Sequence, residues 1–126
     1  MRYLYPTPES SLGSIAPGIQ AAGLVFVSGQ VGMDSAGRLV EEGDVVAQTR
    51  QALLNVETVL AAAGAKLNDV VQATVYLVDI AQFASFDKAW REVFGEHRPT
   101  RTTVSASLVW DKLLVEVQVV ACLDAG

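Results

Sequence analysis

The sequence predicts an α+β fold with its elements in the order β-β-α-β-α-β-β. Short runs of β-branched and aromatic residues recur along the chain, separated by two stretches whose apolar residues return every three or four positions. Apolar residues make up 51% of the chain and charged residues 18%, the balance of a packed domain and not of a disordered tail. The length, 126 residues, suits one domain over 1–126. A chain of this size can bury about two thirds of its unfolded surface, so it needs neither metal nor disulfide to hold a core. No internal repeat, low-complexity tract or linker divides it.

The elements follow in order. Pro6 to Pro17 is expected to be an irregular lead-in segment. Leu24-Val25-Phe26-Val27-Ser28 is a β-rich run that stops at Gly29. Met33 to Gly37 has turn chemistry and predicts a hairpin return through Leu39-Val40. Asp44 is placed to cap a helix whose apolar positions are Val45, Thr49, Ala52, Leu53, Val56, Val59, Leu60 and Ala63, with Gly64 closing it. Val70 to Val78 is a strand with Val71, Ala73, Val75 and Leu77 on one face and Gln72, Thr74 and Tyr76 on the other. A second helix runs from about Gln82 to Phe94 with Phe83, Phe86, Trp90, Val93 and Phe94 as its buried stripe, and Gly95 ends it. Two strands close the chain, near 101–108 and 114–122. Two helices can cover one face of such a sheet. The other face would carry Gln72, Thr74, Tyr76, Leu114, Glu116, Gln118 and Val120, a surface that invites other copies of the chain.

Composition excludes several functions. Fourteen acidic side chains oppose nine basic ones, a net charge of −5, with no basic stripe to track a nucleic-acid backbone. One histidine excludes a His-cluster metal site, and one cysteine excludes an internal disulfide framework. The amino terminus has no secretory apolar core, and no apolar run approaches the ~18 residues of a membrane span. The expectation is a soluble cytoplasmic protein. There is no phosphate-binding glycine loop, no dinucleotide pattern and no H-E-x-x-H. His97 stands between Glu96 and Arg98 at a helix end and is expected to be a solvated terminus. Cys122 on an apolar strand is expected to be a buried, inert thiol.

Two charged residues stand out. Arg101 begins an otherwise neutral strand, Thr102-Thr103-Val104-Ser105-Ala106-Ser107. It either pairs with an acid at the sheet edge or presents its planar fork to a carboxylate. Glu116 interrupts Leu113-Leu114-Val115-x-Val117-x-Val119-Val120, on the face away from the helices. A charge there is costly unless it is paired or used. A four-residue loop at 109–112 would set Glu116 opposite Ser105 and Gln118 opposite Thr103, with Arg101 on the same face roughly 13 Å along the strand. A five-residue loop would put the two on opposite faces. The sequence leaves both registers open.

At these positions the chain resembles the RidA family, the reactive intermediate deaminases also called YjgF. The resemblance runs from about Leu12 to Ala121. It is carried by Val27-Ser28-Gly29-Gln30, by Gly43 to Gln51 followed by Asn55, by Thr74-Val75-Tyr76-Leu77-Val78-Asp79, by Phe83 to Phe94, by Arg98-Pro99-Thr100-Arg101-Thr102-Thr103-Val104 and by Val115-Glu116-Val117. The resemblance implies a chorismate-mutase-like α+β subunit with a mixed sheet and two helices on one face. It implies a homotrimer whose sheets face inward, with clefts between subunits, and no metal or cofactor. The implied activity is hydrolysis of enamines and imines, of the 2-aminoacrylate and 2-iminopropionate type, to 2-oxo acids and ammonia. Arg101 would hold the substrate carboxylate, Glu116 would activate water, and Ser28, Gly29 and the main chain at Thr103 would line the pocket. Four positions depart from the family pattern. Gly18 replaces a tyrosine, Thr103 a common cysteine, Asp87 an asparagine beside the substrate, and Gln118 a frequent acid. A non-catalytic trimer that binds small carboxylates would use the same Arg101. An older family label, ribonuclease, sits poorly with the acidic balance.

Overall fold

In a computed structural model, residues 1–123 fold as a mixed six-stranded sheet with two helices packed on one side. Positions 124–126 of the predicted domain lie outside the described residues. The strands are β1 (Arg2–Leu4), β2 (Gly18–Ala21), β3 (Leu24–Val31), β4 (Val70–Leu77), β5 (Thr100–Ser105) and β6 (Val115–Cys122); the helices are α1 (Val45–Ala61) and α2 (Phe83–Phe94). Across the sheet the order is β1-β2-β3-β6-β4-β5. Every neighbouring pair is antiparallel except β4 and β5. Those two are parallel because α2 carries the chain back over the sheet between them.

The helices form where their periodicity dictates. The Asp44 side chain accepts from the Ala47 N–H at 3.0 Å and caps α1. The helix stops at Ala61, and Gly64 takes the left-handed turn beyond it with φ +75°. α1 buries Val45, Thr49, Ala52, Leu53, Val56, Val59 and Leu60 against β3, β6 and α2. Two buried positions on this helix are polar: Thr49, whose Oγ1 donates to Val45 O at 2.7 Å, and Gln48. Gln48 accepts from Leu114 N at 2.9 Å and donates to Lys112 O at 3.3 Å, so it satisfies the backbone that leads into β6. α2 buries Phe86, Ala89, Trp90 and Phe94; Phe83 keeps 37% of its surface exposed and Val93 is half-buried. Arg50 of α1 and Glu92 of α2 bridge the helices at 2.8 Å, and the guanidinium holds the Glu92 carboxyl below its usual range.

Several expectations need correction. β1 and β2 were not anticipated, because strands of three and four residues on either side of the Pro6–Pro17 stretch give too little alternation. The hairpin return at 39–40 is a single bridge, Met33 to Leu39. The turn itself is real: Asp34 accepts from Ala36 N and Arg38 N. Asn55 then takes the carbonyls of Val31 and Met33, which ends pairing there. In β4 a register shift between Val70 and Gln72 turns Val71 out to solvent and puts Val70 in the core. Leu114 packs partly against the core instead of the open face. The largest correction concerns the end of the chain. β5 and β6 are not a hairpin: β4 lies between them, pairing parallel with β5 and antiparallel with β6.

Candidate active site

Arg101 lies on the edge strand β5 beside buried Ala73, so its side chain points to the helix layer. There it runs beneath α2. Its guanidinium carbon sits 5.0, 5.2 and 5.5 Å from the ring centroids of Trp90, Phe86 and Phe83. Its Nη1 donates to Asp87 Oδ1 at 2.9 Å, and Asp87 Oδ2 faces Arg91 Nε at 3.2 Å. The side chains of Arg101 and Asp87 are 19% and 21% exposed. Asp87 is therefore no free surface acid. It occupies one prong of the fork expected to bind substrate, and the rest of the fork makes no hydrogen bond to a described residue. Beside the pair opens a cleft of about 370 Å³, lined by Asp87, Trp90, Arg91, His97, Arg98 and Arg101, among others.

Glu116 occupies the other side of the sheet. Its neighbours Val115 and Val117 are buried under the helices, so Glu116 points to the open face between Val31 of β3 and Tyr76 of β4. It makes no hydrogen bond or ion pair with a described residue. What holds it is steric. β3 changes register between Val27 and Gln30, so Ser28 and Gly29 together face the single residue Gln118 of β6. Glu116 lies across Gly29, and a Cβ on that glycine would overlap Glu116 Oε2 and Cδ. Ser28 is fixed by two bonds to the lead-in segment, its N to Pro17 O at 2.9 Å and its Oγ to Ala16 O at 2.7 Å.

The predicted residues thus fall into two groups. Ser28, Gly29 and Glu116 cluster at the β3 bulge, on the open face. Arg101 and Asp87 cluster under α2, and Thr103 follows Arg101 on the same side of β5, opposite buried Val75. Strand β4 and the thickness of the sheet separate the groups within one chain. The register that would have set Arg101 and Glu116 on one face does not form, because β4 lies between β5 and β6, and the two charges stand on opposite faces. Gly18 lines a hollow with Ala16, Phe26, Ser28 and Gln118, while a Cβ there would meet Val59 and Leu4 beneath the sheet. His97 is half-buried and its Nε2 donates to Val70 O at 2.7 Å, a structural tie between the α2–β5 link and β4. Cys122 is half-buried on the open side. No group of His, Cys, Asp or Glu among the described residues could hold a metal, and no described helix is long and apolar enough to cross a membrane.

An open mixed sheet with two helices on one side, a bulge under a glutamate and an arginine at the sheet edge define an α+β class of small domain. The chain belongs to the YjgF/RidA family, whose model, described as Endoribonuclease L-PSP, matches residues 8–123. It is 37% identical over 110 residues to a RutC family protein of Pyrococcus horikoshii, covering 87% of each chain. The crystal structure of the YjgF gene product of E. coli superposes with a TM-score of 0.82 at 29% identity, covering 90% of this chain and 91% of that one. That of E. coli TdcF with bound serine superposes with a TM-score of 0.86 at 26% identity, covering 97% and 98%.

Proposed function

We propose that the protein is an enamine/imine deaminase that hydrolyses 2-aminoacrylate and 2-iminopropionate-type intermediates to 2-oxo acids and ammonia. One observation carries the reading. A carboxylate without a partner among the described residues is held over a bulge on the open face, and a half-engaged guanidinium lies at the sheet edge. Each is half of a site for a carboxylate-bearing electrophile. Two protomers would complete it, one lending Arg101 and the other Glu116, Ser28 and Gly29, in a homotrimer packed through the open face. Arg101 would take the substrate carboxylate, while Glu116 would draw a proton from water as it adds to the imine carbon and return one to the departing nitrogen. An imine carbon is already electrophilic, so positioning with one water is a small demand and the reaction calls for no metal or cofactor. The bound serine named for the TdcF structure supports a small amino- or oxo-acid ligand. A nucleic-acid substrate is disfavoured by the net charge of −5, and nothing in the described residues calls for a membrane. The protein would then act in the cytoplasm.

Complementation tests this division of labour. Arg101→Ala and Glu116→Gln should each remove imine hydrolysis, measured as faster loss of imine in an amino-acid oxidase assay. Mixed and allowed to exchange subunits, the two inactive variants should regain activity, since roughly a quarter of random junctions would join an intact Arg101 to an intact Glu116. Full activity in either variant, or a mixture as inactive as its parts, would refute the shared site. A trimer that binds 2-oxo acids without turnover, unaffected by Glu116→Gln, would instead be a carboxylate sensor.

A further inference from the structure

Arg101 has company. Arg91 follows Asp87 by one turn on α2, Arg98 lies in the link to β5, and both line the same cleft of about 370 Å³. Arg91 reaches Asp87 at 3.2 Å, and Arg98 Nη1 turns onto the carbonyls of Gly95 and His97 at 2.5 and 3.2 Å. Three guanidiniums therefore line this space with one carboxylate, Asp87. The local excess of positive charge runs against a chain whose net charge is −5. A cleft of one sign concentrates ligands of the other. One bound carboxylate leaves positive charge over; a second anionic group removes it. Trp90 and Pro99 give the cleft apolar wall for a short carbon chain between two such groups. Its volume lies in the range of small-molecule sites.

We infer that this cleft is a subsite for a second anionic group, so that the acid held by Arg101 is a dicarboxylic 2-oxo or 2-imino acid in preference to a monocarboxylic one. The inference rests on the proposed role of Arg101 as carboxylate clamp and not on turnover.

Calorimetric titration of the full chain decides it. Oxaloacetate and 2-oxoglutarate are compared with pyruvate and 2-oxobutyrate, in the wild type and in R91Q/R98Q, at low and high salt. The dicarboxylates should bind at least tenfold tighter to the wild type, that ratio should fall towards one in the variant, and added salt should weaken the dicarboxylates more. Equal affinities in the wild type, an unchanged ratio in the variant, or no binding of any of the four overturns the inference. Arg91 and Arg98 are exposed, so the variant should keep its thermal transition; if it does not fold, the wild-type ratio and salt slopes decide alone. Imine hydrolysis is read separately. A protein with the ratio but without hydrolysis loses the deaminase reading alone, and one with hydrolysis but without the ratio loses only the subsite.

Discussion

Gly29 is glycine because of a carboxylate on the next strand. Its backbone needs no left-handed conformation, yet a Cβ would land on the tip of Glu116. That tip is flexible and can swing aside. Gly29→Ala should therefore cost under about 1 kcal/mol of stability while lowering imine hydrolysis at least tenfold, which chemical denaturation and an activity assay separate. Asp87 acts in the opposite sense. It holds one prong of Arg101 and adds negative charge where the proposed substrate anion would arrive. Asp87→Asn should tighten 2-oxo acid binding by roughly three- to tenfold while destabilising the fold by about 1 kcal/mol, because a half-buried guanidinium loses its counter-ion. Weaker binding in that variant would show that Asp87 positions the fork more than it competes for it. The sequence alone marked Arg101 and Glu116 as charges in neutral strands. It did not pair Arg101 with Asp87, because residues fourteen positions apart meet only through the packing of α2 on the sheet edge.

Among the elements, the helices were the most legible. Five turns of three-four spacing, a capping aspartate and a closing glycine define α1 within the sequence itself, and only Gln48 escapes the pattern. An amide in an apolar stripe gives no hint that its partners are the backbone of residues sixty-odd positions away. Gln48→Leu should leave Leu114 N and Lys112 O without their partners. It should lower stability by about 1–3 kcal/mol in denaturant melts, although leucine fills a similar volume. An unchanged midpoint would mean that water replaces the amide. Strand order was the least legible property. Period two tells which residues share a face, but not which strand lies beside which. The insertion of β4 between β5 and β6 is decided by how α2 crosses the sheet, a long-range choice that no local pattern records.

At the scale of the whole molecule, the open face explains what the single chain leaves unfinished. Phe26 is 44% exposed there and Val104 39%, with Ile19, Tyr76 and Val120 half-buried beside them. Such a surface on one side of a sheet is expected to be covered by other copies. Phe26→Glu should convert a trimer to monomers in sedimentation velocity, keep the far-ultraviolet circular dichroism and abolish hydrolysis together with assembly. A trimer that survives the change would place the contact elsewhere. The resemblance supplied the expectation of three copies, while the residues themselves indicated a face that packs against other copies without setting their number.

The sheet's thickness between Arg101 and Glu116 has a last consequence. If neither group can reach the other from within its own chain, the unassembled polypeptide carries two inert fragments of a reagent. Output per molecule would then fall faster than in proportion as the solution is thinned. A newly made chain would stay silent until it met its fellows, and a carboxylate and a guanidinium that could quench one another are kept apart by the very layer that holds the fold together.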